Sequence, residues 1–318
     1  MTTSSVSGSL GQSQEGPGHA VVIPLYGSLP SHLVDQVREY ICSGLSVVLV
    51  QNNQEVNSAL DRDLQDLGES APRVSTVHNR NLGGVAGGFN RGIEQAIIHG
   101  VQWITLLDQD SELSAEAIIR LREPWLQGSG QRLMVGPLIW DGRRQQIHGR
   151  RISKTKYGYL QTRLLISSGT TFQAADWAQL GPMLEWLIVD YVDHLWSFGA
   201  QARGFLLLQH PEVVLSQSFG HRHPQSFCRR MGMELYPPRR HFYSLRNLRF
   251  LLCCQYVPLD LRLKELIKML IKPWLWLLCE PQKKENLLAV ISALGAQIPV
   301  ELAELQESAG YHHPPGSP

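Results

Sequence analysis

The 318 residues carry 29 Lys and Arg against 28 Asp and Glu, a net charge of +1, with 43% hydrophobic and 18% charged residues. This composition fits a folded chain with a sizeable core and excludes a global basic field for holding nucleic acid. The five cysteines are odd in number and form no C-x-x-C, which argues against a disulfide framework or a zinc site and fits a reducing cytosol.

Residues 1–19 are rich in Ser, Gly and Gln, lack the apolar core of a signal peptide, and read as a disordered tail. No run of 18 apolar residues follows, so no membrane-spanning helix is expected. Residues 20–25 (AVVIPL) suit a first buried parallel strand. Leu33, Val34, Val37 and Ile41 give a helix face. Residues 45–50 read as a second strand, ending at Gln51-Asn52-Asn53, and residues 58–67 as the next helix. Residues 74–78 form a third strand before the glycine-rich turn Asn81-Leu82-Gly83-Gly84. Apolar Val85, Phe89, Ile93 and Ile97 then mark a helix. Residues 103–107 are a buried strand ending in Asp108-Gln109-Asp110. Two carboxylates this close repel and call for a cation, and the carboxyl ends of parallel strands are where open α/β sheets place ligands. Alternating strand and helix predicts a parallel sheet with crossover helices.

Ser114 caps a short helix over 114–122, residues 133–139 are a strand, and Asp141-Gly142-Arg143-Arg144 signals a hairpin. The basic cluster Arg143, Arg144, Arg150, Arg151, Lys154, Lys156 is either a solvated loop or a flap near an anionic ligand. Residues 159–166 read as a strand ending in Ser167-Ser168-Gly169-Thr170, and residues 204–209 and 212–215 as two more. Six arginines and one glutamate lie between Arg229 and Arg249, a cluster suited to a diphosphate. Residues 259–278 form an amphipathic helix with Arg262, Lys264, Lys268, Trp274 and Trp276. It fits a membrane interface or a helix packed on the core. Residues 285–305 read as a last helix pair.

The run Asn81, Gly83, Gly87, Asn90, Gly92, followed by Leu107-Asp108-Gln109-Asp110-Ser111, resembles the family 2 (GT-A type) glycosyltransferases, and within them the rhamnosyltransferases. The resemblance covers residues 20–255. Asp190, Asp193 and Trp196 match a further family pattern, from which Leu195 departs where the family has a carboxylate and Gly199 where it has Arg. Gln217 stands where a metal-site His is usual, with His221 or His223 near enough in sequence to substitute. Residues 238–247, containing Arg246 and Asn247, resemble the family's R-x-Y-Y-x-x-R-N run.

The resemblance implies an α/β, GT-A type nucleotide-diphospho-sugar transferase fold, with a mostly parallel central sheet flanked by helices. It implies a tail at 1–19, the GT-A domain at 20–255, a helical extension at 256–310 and a loose end at 311–318. Tyr26, Asn52, Asn53, Asn81, Gly83, Asn90, Asp108 and Arg246 would hold the nucleotide-sugar donor, though Asn52-Asn53 also suits a plain turn. Asp108, Asp110 and Gln217 would hold Mg²⁺ or Mn²⁺. Ser168, Gly169 and Trp196 would face a glycan or lipid-linked acceptor. Asp193 would be the general base, with Asp190 in reserve or capping the helix. The implied function is inverting transfer, most simply of rhamnose from dTDP-rhamnose, in the cytoplasm or peripherally at the inner face of the membrane through residues 259–278. Self-association is left open. A sugar-nucleotide-binding relative without turnover is the alternative, motivated by Leu195, Gly199 and Gln217. A dinucleotide oxidoreductase is disfavoured, because the glycines do not follow the first strand as G-x-G-x-x-G.

Overall fold

A computed structural model describes residues 18–300 and 302, except 56–59, 61, 66–72, 129, 143, 144, 149, 150, 156 and 218–234. The N-terminal half alternates β1 (His19–Leu25), α1 (Ser31–Cys42), β2 (Ser46–Gln51), β3 (Val74–His78), α2 (Gly84–Ile98) and β4 (Trp103–Leu106). Then follow α3 (Ala115–Arg120), α4 (Glu123–Leu126), β5 (Leu133–Asp141), β6 (Gln146–His148), β7 (Arg151–Lys154), β8 (Leu160–Thr162), β9 (Thr171–Gln173) and α5 (Trp177–Leu180). The chain continues through α6 (Val192–Ala202), β10 (Leu206–Gln217), α7 (Pro238–Cys253), α8 (Leu259–Cys279) and α9 (Lys283–Gly295).

The ten strands form one sheet in the order β3-β2-β1-β4-β9-β5-β10-β8-β7, with β6 beside β5. β1 to β4 pair in parallel, as the alternating pattern requires. Beyond β4 the sheet is mixed: β9 runs antiparallel to β4 and β5, while β5 and β10 are parallel. Successive side chains of β1 point to opposite faces. Val22 joins a core with Phe89 and Ile93 of α2, and Val21 and Ile23 join another with Leu33 and Val37 of α1. Burial on both faces explains why these strands read as unbroken apolar runs.

Several boundaries differ from the sequence reading. The strand expected over 159–166 stops at Thr162, whose hydroxyl donates to the Leu164 carbonyl and turns the chain. The two strands expected over 204–215 are one, β10, with its register shifted between His210 and Val214. Pro211 lies there and brings no N–H to the ladder. Of the expected final helix pair, the first is α9, ending at Gly295; Val300 and Leu302 are helical beyond it, and the rest of the second lies outside the described residues.

The three C-terminal helices pack around Leu245, Trp276, Val290 and Ala293. The helix left open between a membrane interface and the core divides its tryptophans: Trp276 is buried and stacks on His241 at 4.1 Å, while Trp274 is exposed. His241 pairs with buried Glu280 at 2.7 Å, and the Asn286 amide donates to the same carboxylate at 3.0 Å. No described helix is long and apolar enough to cross a membrane.

Candidate active site

Because β1 to β4 are parallel, their carboxyl ends share one edge, and the turns leaving them meet there. The Asn52 amide is the centre of this floor. Its Nδ2 donates to the Gly84 carbonyl at 2.8 Å and to the Tyr26 hydroxyl, and its Oδ1 accepts from Asn79 at 2.7 Å. Asn52 is fully buried, so the side chain expected on a donor is used between the turns instead. Asn53 Oδ1 accepts the Gly27 N–H at 2.8 Å, which is turn chemistry. Tyr26 is 37% exposed, and its hydroxyl donates to Asn81 Oδ1 at 3.4 Å. Burial raises the Tyr26 phenol to about 12, opposed by the Asn52 bond and assisted by the charge of Asp108.

The glycines of α2 admit neighbouring chain rather than ligand. A Cβ on Gly83 would stand 2.6 Å from Glu185, and one on Gly84 2.3 Å from the Ile188 carbonyl oxygen. Asn90 is likewise buried and exchanges hydrogen bonds with the Met183 backbone, both at 2.9 Å, while donating to Glu185 at 3.0 Å. Its sequence-stretch role is therefore to hold the 183–188 segment against α2.

That segment leads to the acidic centre. Asp193 sits in the first turn of α6, and its Oδ1 accepts the Ser167 N–H at 3.1 Å. Ser168 Oγ accepts the Asp108 N–H at 3.2 Å and donates to Ser111 at 2.8 Å, and the Gly169 N–H donates to Leu106 at 2.7 Å. The Ser-Gly pair thus bolts the Asp193 side of the site to the end of β4. Ser168 is fully buried in doing so and offers no face to an acceptor. Burial pushes the Asp108 carboxyl up to about 7, with Asp193 and then Asp110 adding like-charge repulsion. Burial pushes Asp193 up to about 6, against its bonds from Ser167 and with help from Asp190. Asp193, more than eighty residues further along the chain, is brought within electrostatic reach of Asp108, as is Asp110.

Asp190 does not cap α6. It pairs with Arg240 at 2.9 Å, and the helix begins at Tyr191 without a side-chain cap. Ile188, Asp190 and Tyr191 all have positive φ (66°, 56° and 63°), a strained approach for residues with a Cβ. Asn247, fully buried, holds this bend by donating to the carbonyls of Leu187 at 2.9 Å, Val189 at 2.6 Å and Asp190 at 3.1 Å. Arg246, expected on the donor, lies 3.8 Å from the Trp186 ring and donates to Asn247, Leu187 and Trp186.

The remaining expected residues lie further out. Trp196 is buried, with its indole N–H on the Gly181 carbonyl at 3.0 Å, so it is core rather than acceptor surface. Leu195 is core too. The Arg203 guanidinium, one helical turn on, reaches within 2.9 Å of where a Gly199 Cβ would stand and donates to the Leu180 carbonyl at 3.0 Å. Gln217 ends β10 beside Asp141, and its buried Oε1 has no hydrogen-bond partner among the described residues. His210 pairs with Glu123 at 3.0 Å. His221, His223, Arg229, Arg143, Arg144, Arg150, Lys156 and both chain ends lie outside the described residues.

Sequence reasoning named Ser167, Gln109 and Asn247 without giving any of them a role. Gln109 Oε1 accepts the Tyr26 N–H at 2.6 Å, joining the acidic turn to the end of β1. Its place between two aspartates was a signal, whereas Ser167, which reaches Asp193 through both its hydroxyl and its backbone N–H, stood in a pair of serines with none.

No protein-family model matches the chain. In sequence it is 27% identical over 282 residues to the dTDP-rhamnosyl transferase RfbF of Shigella flexneri, covering 82% of this chain and 89% of that protein. The mannosyltransferase PcManGT from Pyrobaculum calidifontis, in complex with GDP-Man and Mn²⁺, matches with a TM-score of 0.54 at 16% identity, covering 92% of this chain and 79% of that one. S. aureus TarS 1–349 in complex with UDP matches at 0.50 and 13% identity, covering 91% and 86%. GalNAc-T7 with UDP, GalNAc and Mn²⁺ matches at 0.51 and 16% identity over 64% of this chain, which spans only 43% of that protein. An acidic turn on the carboxyl edge of a parallel half-sheet, joined to a mixed half, gives this chain the GT-A glycosyltransferase fold, with a sequence similar to that of a rhamnosyltransferase.

Proposed function

We propose that this chain is an inverting glycosyltransferase that moves rhamnose from dTDP-rhamnose to a glycan or lipid-linked glycan acceptor in cell-surface polysaccharide synthesis. The observation that carries the reading is buried Asp108 just past the carboxyl end of β4, with the charges of Asp193 and Asp110 acting on it; among the described residues no three carboxylate, His or Cys side chains stand close enough to form a complete metal site by themselves. The similarity to RfbF supports the donor. In this reading residues 20–255 are the catalytic domain and 256–310 an extension.

Asp193 takes the proton of the acceptor hydroxyl as that oxygen bonds to the anomeric carbon. The bond from that carbon to the diphosphate oxygen breaks, and its electron pair leaves on dTDP. A base raised to about 6 is largely ionised at neutral pH yet basic enough to accept the proton. Asp108 and Asp110 would hold Mg²⁺ or Mn²⁺. Their oxygen-only donor set suits a hard cation, and burial beside a third carboxylate leaves Asp108 in need of a counter-charge. A cation bound there neutralises the leaving diphosphate. Tyr26 and Asn81 remain at the floor to meet the nucleotide.

The test is a panel of nucleotide sugars with Mg²⁺ or Mn²⁺, read by melting temperature and then by transfer. A ligand that binds only the folded state raises the melting temperature. dTDP-rhamnose is expected to give the largest rise; a rise confined to uridine or guanosine donors overturns the donor assignment. The absence of a carboxylate at Leu195 keeps a binding-only subunit as the second reading. Donor protection with neither transfer nor hydrolysis would favour it.

A further inference from the structure

An apolar face of α8 points out of the fold. Leu259, Leu263, Ile267, Leu270, Trp274 and Leu278 recur at helical spacing and are 54–69% exposed. The side turned inward buries Trp276, and with it Glu265, which accepts the Tyr191 hydroxyl at 3.0 Å and pairs with Lys268. The outward stripe is therefore a second apolar face, where a surface helix ordinarily carries polar residues. Leu287, Leu288, Ile291 and Leu294 of the neighbouring α9 are also exposed, so two helices contribute. Apolar exposure on this scale marks an interaction face.

Charge identifies the occupant. Lys264 and Lys268 follow one edge of the stripe, each one position after an apolar member, and Lys283 and Lys284 open α9. Of the acidic residues on these helices and their link, Glu265 and Glu280 are buried, leaving Asp260 and Glu285 at the surface. Asp260 is itself paired with Arg163 at 2.9 Å. We propose that α8 and α9 together seat the protein on an anionic lipid surface, apolar side chains in the acyl boundary and lysines among the headgroups.

The site makes this useful. A cavity of about 770 Å³ is lined by Leu261, Lys264 and Lys268 of α8 and by Ile166 and His194, the sequence neighbours of Ser167 and Asp193. A lipid-borne acceptor would lie along α8 with its head in this cavity, beside the segment that carries the carboxylate assigned as base. This last step rests on the transferase reading; the lipid face does not.

The test uses the full chain, with phosphatidylcholine vesicles with and without phosphatidylglycerol, read by co-sedimentation. Wild type is expected on the anionic vesicles, with release by high salt. Leu263→Ser with Leu270→Ser changes only exposed positions, so folding should survive; it is expected to abolish co-sedimentation. Lys283→Gln with Lys284→Gln is expected to weaken it about fivefold per lysine. Unchanged binding of the serine variant overturns the proposal. So does a wild type that ignores vesicles but forms a dimer that the serine variant loses, which assigns the face to a second copy. Donor protection measured without vesicles tests the transferase reading separately.

Discussion

At the scale of single residues, the proposed function rests on one carboxylate, Asp193. Asp193→Asn keeps the size and can still face the Ser167 N–H, but cannot take a proton. Turnover is expected to fall ~10² to 10⁴-fold with donor affinity nearly unchanged. With burial holding Asp193 near 6, wild-type turnover is expected to rise as pH passes through about 6, and the residual activity of the variant is expected to lose that rise. Full turnover in the variant would move the search to His194. Restoring a carboxylate at Leu195 is no test of the base, because Leu195 is packed in the core and Glu there would bury a charge. Asp193 was singled out by the resemblance to a family pattern that also contains Asp190 and Trp196. The places of its companions were not legible: the same pattern could not show that Trp196 faces inward or that Asp190 belongs to Arg240.

At the scale of elements, the bend before α6 is held by α7. Three residues there have positive φ, and the Asn247 amide is shared among three of the bend's carbonyls. Asn247→Ala leaves buried acceptors without a donor, at about 1–3 kcal/mol each. It is expected to lower both the melting temperature and turnover, since the bend aims Asp193. A variant that loses stability but keeps wild-type turnover once folded would show that the bend does not position the base. The Arg246-Asn247 pair was visible as a motif, and its chemistry suggested phosphate. A sequence shows that a residue is polar and specific, and cannot show whether its partner is a ligand or the chain. The glycines of α2 pose the same ambiguity: the need for room was readable, while Glu185 and Ile188 as the occupants of that room were not.

At the scale of the molecule, the acidic centre sets how stability responds to pH. Asp108 and Asp193 are raised above the ordinary carboxylate value of 3.8, to about 7 and about 6. The folded state therefore holds more protons than the unfolded one between about 4 and about 7. Stability of the chelated protein is expected to increase as pH falls from about 7 toward about 4, the opposite of a salt-bridged carboxylate. Mn²⁺ bound there would replace those protons, so its stabilisation is expected to be larger at neutral pH than at pH about 5. Melting curves with chelator and with Mn²⁺ check both signs, and Asp110→Ala should remove the Mn²⁺ response. The parallel half of the sheet was legible because β1, β2 and β4 are buried apolar runs, and β2, β3 and β4 lead into Asn or Asp. The mixed half was less so: β9 has three residues, too few for a period, and it is fixed by β4 and β5 on either side. The outward face of α8 was readable as a stripe, but periodicity does not say whether a stripe is covered.

The Asn52 amide joins the turn after β1, the turn after β3 and the start of α2 before any ligand arrives. A floor braced in advance has little conformational freedom left to lose on binding. Nucleotide capture is then expected to be a single fast phase, with an observed rate that climbs linearly with nucleotide concentration and never levels off. Asn52→Ala frees the three segments to move apart, and a slow step that saturates with concentration should appear. Stopped-flow traces of the two proteins would show whether this asparagine shapes the speed of recognition without touching what is recognised.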